Sequence, residues 1–217
     1  MFPVNLRSPI SLLLMLCAVG LFPSCGGGHG FPPGTVALVN GTPITQAEVD
    51  AQVEALLEIE PAFVITQRRR LIMTHIAIPK AYGIALAGER RERAREEAQA
   101  WLDSETPHAL PEGFIPPETR GRWGDLGLGT WLVARELEVG ESSGIVELCG
   151  QFAVIKMLAR DRIPGREAME LEIENFPYDD QPLTLTNRCR TGTLQIIDPT
   201  WDEVIPATYK YSMRGKK

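Results

Sequence analysis

The stretch "GESSGIVELCGQFAVIKMLARD" (140–161) constrains this chain more than any other. Two apolar runs, 145–148 and 152–158, flank a Gly150-Gln151 turn and are entered through a polar Gly-Glu-Ser-Ser corner. Such a pattern reads as a β-hairpin, so the fold must contain an antiparallel sheet that accepts it. Further strands follow. "AMELEIE" (168–174) alternates with Met169, Leu171 and Ile173 on one side and glutamates on the other, a half-buried strand. "TLQII" (193–197) is another, and in "DPTWDEVIP" Asp198 stands as N-cap and Pro199 at the first position of a short helix.

The first half of the chain has a different grain. "TVALVNGTPITQAEVDAQVEALLEIEP" opens with a short strand, 36–39, and an Asn40-Gly41 turn. Thr45 and Glu48 have capping-box spacing, and Ile44 with Val49 that of a hydrophobic staple. The helix they start carries Val49, Val53, Leu56 and Leu57 as one apolar stripe and ends by Pro61. Residues 66–88 fit two templates. As a helix capped by Thr66, they place Leu71, His75, Ile78 and Tyr82 on one face; as a strand, Ile72, Thr74, Ile76 and Ile78 alternate. Length favours the helix. Residues 89–102 are helical, with Ala94, Ala98 and Trp101 inward and Glu89, Arg93 and Glu97 four apart on a solvated face. Four prolines (107, 111, 116, 117) make 103–122 a long loop. The fold class expected is α+β.

Residues 1–24 read as an export signal: Arg7, then the apolar run "ISLLLMLCAVGLF", too short to span a bilayer comfortably. Ser24 before Cys25, with the Gly-rich tether 25–34 behind it, resembles a bacterial lipobox, which implies lipid attachment at Cys25 and a membrane anchor in the cell envelope. The other reading is a cleaved signal beside a chance cysteine. Loss of 1–24 removes one positive charge, taking the net charge from −6 to −7. An acidic chain with scattered basic residues is a poor nucleic-acid binder. In an oxidising compartment Cys149 and Cys189 form either a disulfide or two unpaired buried thiols. His29, His75 and His108 lack ligand spacing with the cysteines, so no metal is expected.

Two stretches resemble known ones. "VALVNGTPITQAEVD" (36–50) resembles the opening of SurA-like periplasmic foldases, where a strand leads through a turn into the first helix of a chaperone module. Residues 124–161 resemble the C-terminal half of a parvulin-type peptidyl-prolyl isomerase domain, through "GDLG" (124–127), L-x-x-G-E-x-S (137–143) and Val-Ile-Lys (154–156). The resemblance implies a helical SurA-like segment (35–102), the Pro-rich loop (103–122), a truncated parvulin-like antiparallel sheet with flanking helices (123–164), and C-terminal strands with a short helix (165–217). It implies rotamase chemistry without cofactor, on unfolded or extended polypeptide. An enzyme of this kind lowers a barrier of about 18–20 kcal/mol by binding the twisted amide better than the planar one.

The family's site has two facing histidines on adjacent central strands, a Cys or Asp nearby, and an apolar pocket. The first histidine falls on His75 if 71–79 is a strand beside 152–158; the other reading of His75 is a histidine on an apolar helix. The second falls on Ala153. The helix expected to carry the Cys or Asp is replaced by the Pro-rich loop, and Cys149 is not at that position. Trp131, Leu132 and Phe152 stand as apolar walls for a bound chain, core packing being the other reading. Polypeptide binding with weak isomerisation is expected, against a non-catalytic holdase or a structural envelope lipoprotein.

Overall fold

The computed structural model describes residues 30–59, 61–104, 126–163 and 166–213. Residues 1–29, which hold the expected export signal, Cys25 and most of the expected tether, lie outside the described residues, as do the greater part of the Pro-rich loop and Gly124 and Asp125 of "GDLG". Everything below concerns the unit formed by Phe31–Lys217.

It is a mixed α+β structure with two antiparallel three-stranded sheets among the described residues. The first is built by the chain's distant ends. β1 (Thr35–Val39) turns through Asn40 and Gly41 into β2 (Thr42–Thr45), and β6 (Leu194–Ile196) closes the other side of β1. Asn40 and Gly41 have φ of 48° and 84°, the left-handed pair that a tight hairpin turn needs. Asn40 also fastens β6: its N–H donates to the Thr193 carbonyl at 3.0 Å, and its Oδ1 accepts the Thr193 N–H at 2.8 Å. The C-terminal residues, whose role the sequence leaves open, thus complete the N-terminal sheet.

The second sheet is a meander. β3 (Ser142–Leu148), β4 (Gln151–Ile163) and β5 (Arg166–Pro177) lie in that order. The hairpin turns on Cys149-Gly150, one residue earlier than expected, since Leu148 pairs with Gln151 and Gly150 adopts φ 76°. β4 is apolar from Phe152 to Ile155 because both its faces are covered there. Ala153, Ile155 and Met157 enter the main core, whereas Phe152 and Val154 enter a second cluster with Phe176, Tyr178 and Ala94 and Ala98 of a covering helix. Met169 and Leu171 of β5 are buried as expected, Ile173 partly so.

Among the helices, α1 (Gln46–Ile59) is specified locally. Glu48 Oε2 accepts the Thr45 N–H at 2.9 Å, and Thr45 Oγ1 accepts the Glu48 N–H at 3.3 Å, so the capping box forms. Val49, Val53 and Leu56 are buried, but Leu57 is 43% exposed, because it sits just beyond the edge of the stripe.

Residues 65–87 are helical throughout, which settles the ambiguous stretch: α2 (Ile65–Ile72), a π-helical turn (Met73–Ala77) and α3 (Ile78–Ala87) run on without a break. The cap is Val64, whose N–H donates to Gln67 Oε1 at 3.0 Å; Thr66 lies inside the helix. Pro79 accounts for the wider turn. It has no N–H to give, and its ring would collide with the His75 carbonyl of a regular α-helix. Instead the Ile78 N–H reaches back to the Met73 carbonyl, one residue further than usual. That extra residue also turns His75 away from the face that buries Ile78 and Tyr82, so the shared face expected from α-helical spacing does not form. At Gly88, with φ 53°, the chain bends by 104° into α4 (Glu89–Leu102), which covers the second sheet. No single described helix is long and apolar enough to cross a membrane.

Candidate functional site

The π turn leaves carbonyls that its own helix does not satisfy. Distant side chains reach them instead. Tyr209 OH, from the C-terminal helix Ala207–Ser212, donates to the Thr74 carbonyl at 2.9 Å. Cys149 Sγ donates to the carbonyls of His75 and Ile76 at 3.5 and 3.6 Å. A wide helical turn held this way often marks a functional position. Here it forms one wall of a cleft of about 650 Å³.

Facing that wall is α5 (Leu128–Ala134), which presents Leu128, Gly129, Leu132 and Val133. Two arginines fix it in place. Arg160 of β4 donates to the carbonyls of Ala134, Arg135 and Leu137 at 2.8–2.9 Å, closing the C-terminal end of the helix. Arg135 reaches across to the Ala55 carbonyl of α1 at 2.6 Å, where Ala51, Gln52 and Ala55 add a third side. Other borders include Ser143, Glu147 and Leu148 of β3, Glu136 beyond α5, and the exposed Leu183.

One end of the cleft is charged, with its charges paired to one another. Glu147 accepts from Arg91 Nε and Nη2 at 2.6 and 2.9 Å, pairs with Lys80 at 3.4 Å, and accepts from Tyr178 OH at 3.3 Å. Burial pushes the Glu147 carboxyl up. The Arg91 hydrogen bonds and the Lys80 and Arg91 charges outweigh that and hold it below the usual carboxylate range. Tyr178 is driven well above an ordinary phenol, first by burial and then by Glu147. A carboxylate with this many partners is no free base.

The two candidate reactive groups are muted as well. Burial pushes the Cys149 thiol up to about 12, so it stays protonated at neutral pH, and a protonated thiol is a poor nucleophile. The His75 ring reaches solvent, yet the wall behind it desolvates it and lowers its pKa, which favours the neutral imidazole. Both cysteines are free in the structure, so the disulfide alternative is not realised: Cys149 is engaged with the π turn, and Cys189 Sγ lies 3.1 Å from the Thr186 carbonyl.

His75, Leu132 and Cys149 therefore meet at one cleft, but not as facing strands. The strand beside β4, opposite β3, is the downstream β5, with Ala153 paired to Asn175; His75 belongs to a helix. Trp131 is buried beneath α5 with the Arg135 guanidinium 5.0 Å from its ring centre, and Phe152 packs edge-on to Tyr178 under α4. Neither borders the cleft. Sequence reasoning missed the α1 side, Gly129 and the Lys80–Glu147–Arg91 group. A proline inside an apolar helical run was the available signal for the π turn.

Comparison of the chain with protein-family models, curated proteins and solved structures gave no match. Function is accordingly argued from the cleft. Its apolar walls suit it to desolvate and hold a ligand; of its ionisable side chains, Glu147 is held by Arg91 and Lys80, and the Cys149 thiol keeps its proton.

Proposed function

We propose that this chain is an exported, membrane-tethered, parvulin-like protein that binds extended polypeptide in the cleft between the π turn, α5 and β3. The carrying observation is the cleft itself, open and largely apolar, with Leu183 95% exposed on its rim. A concave, largely apolar cleft is where a protein binds a ligand. The tether through Cys25 keeps the protein at a bacterial membrane, where unfolded clients pass. Isomerisation of X–Pro bonds is weak or lost, since Ala153 offers no opposing hydrogen bond and the nearby thiol keeps its proton.

An equimolar mixture with an unfolded outer-membrane protein tests the proposal. The protein delays aggregation. Gly129→Leu removes the delay, because a side chain there grows into the cleft from a Cβ 3.5 Å from Leu148. No delay with the unaltered protein sinks the reading. On a proline-containing peptide, turnover stays within about tenfold of background and does not respond to His75→Ala. A clear loss with that variant would instead establish catalysis.

A further inference from the structure

The geometry points to a client that joins the second sheet as an added strand, hydrogen-bonded to the outer edge of β3. This rests on the polypeptide-binding reading above and specifies how the client is held.

β3 is an edge strand of its sheet. The two-residue loop makes Leu148–Gln151 a hydrogen-bonded pair, and alternation along an antiparallel ladder makes Val146–Ala153 the next. Ile145 and Glu147 fall between these pairs, so their N–H and C=O groups point away from β4. Side-chain bonds near this strand involve Ser143, the Glu147 carboxylate and the Leu148 carbonyl. Among the described residues, no hydrogen bond outside the ladder involves the backbone of Ile145 or Glu147.

This edge opens on the cleft through Ser143, Glu147 and Leu148. The sheet's other edge, β5, does not border it. Outward donors and acceptors on an edge repeat every two residues, a pattern matched by another extended backbone and by few other ligands. A strand about 4.8 Å from β3 alternates its side chains between the two faces of the sheet. One set meets Leu148, Leu128 and Leu132 on the core side; the other turns toward the Glu147 face, which α4 covers through Arg91. The register is bounded at one end. The ladder slips between Ser142 and Ile145, where Gly144 takes φ 67°, so pairing starts at Ile145. The ligand class is a short extended segment with apolar side chains at alternate positions.

The probe is a fluorescein-labelled nonapeptide of alternating valine and threonine, bound to the full chain and followed by anisotropy. Two versions are N-methylated, one at every valine amide and one at every threonine amide. One version loses binding by at least about tenfold and the other keeps it, because only alternate amides face β3. In parallel, amide exchange at Ile145 and Glu147 slows by about tenfold or more on saturation, while Val146 and Leu148, already paired to β4, change little. Binding with equal sensitivity to both methylation sets, or with no change in exchange at Ile145 and Glu147, overturns the added strand and leaves a side-chain groove. Protection of those amides that grows with protein concentration in the free protein also overturns it, by placing a second copy on the edge. Failure of all the peptides to bind removes the polypeptide-binding reading itself, and this inference with it.

Discussion

Two neighbouring helical regions, α1 and the α2–π–α3 rod, are specified in opposite ways. α1 carries its own instructions: Thr45 and Glu48 cap it, Ile44 and Val49 staple its entry, and Val49, Val53 and Leu56 give it a buried stripe. The rod is interrupted by Pro79, and the carbonyls this leaves are satisfied by Tyr209 and Cys149, more than seventy residues downstream. A regular helix needs only its neighbours to form, whereas an irregular one needs donors that the fold must deliver. The candidate site lies on the irregular one.

Several measurements test this contrast. The largest effect belongs to α1. Leu56→Ala empties a fully buried position and should cost about 2–5 kcal/mol in urea unfolding. A cost under about 1 kcal/mol would show that the stripe does not anchor the helix. Next comes Tyr209→Phe, which leaves the Thr74 carbonyl without its donor and should cost about 1–2 kcal/mol. In a Pro79→Ala background, where an N–H returns and the turn can relax to α, that cost should fall by roughly half or more. Equal costs in both backgrounds would refute the role given to Pro79. Thr45→Ala should cost about 1 kcal/mol, with no dependence on the residue at 79.

The smallest effect concerns the Arg69–Asp50 pair that joins the two helices at 2.7 Å. The Arg69 hydrogen bond holds the Asp50 carboxyl below its ordinary value. A carboxyl depressed in the folded state stabilises above its unfolded pKa and loses that contribution as pH falls through the folded one. The Tm difference between the unaltered protein and Asp50→Asn should therefore be constant near neutrality and close in acid. A gap that persists in strong acid would assign the effect to packing. The muted thiol has its own check: at pH 8, Cys149 should react with iodoacetamide far more slowly than a free cysteine, because its pKa lies near 12.

Much of the fold was legible from local pattern. The β1–β2 turn, the capped α1, the β3–β4 hairpin, the alternating β5 and the Asp198 cap, whose Oδ1 accepts the Thr200 N–H at 2.9 Å, are all encoded within a few residues. The site was legible only in fragments. His75, Leu132 and Cys149 were singled out separately and do share a cleft, but Trp131 and Phe152 were equally apolar and went into the core. Hydrophobicity marks a residue for burial without saying whether its cover is protein or ligand.

Where strands and helices begin is written locally in the chain, because caps, turns and periodicity act over a few residues at a time. Tertiary structure decided which strand lies beside β4, that β6 completes the sheet begun by β1, and that Tyr209 and Cys149 serve the π turn. The β1–β6 pairing and the bonds to the π turn join residues from 73 to 159 positions apart. They follow from which arrangement buries the most apolar surface while leaving the fewest polar groups unmet, a property of the whole chain and of no single stretch of it.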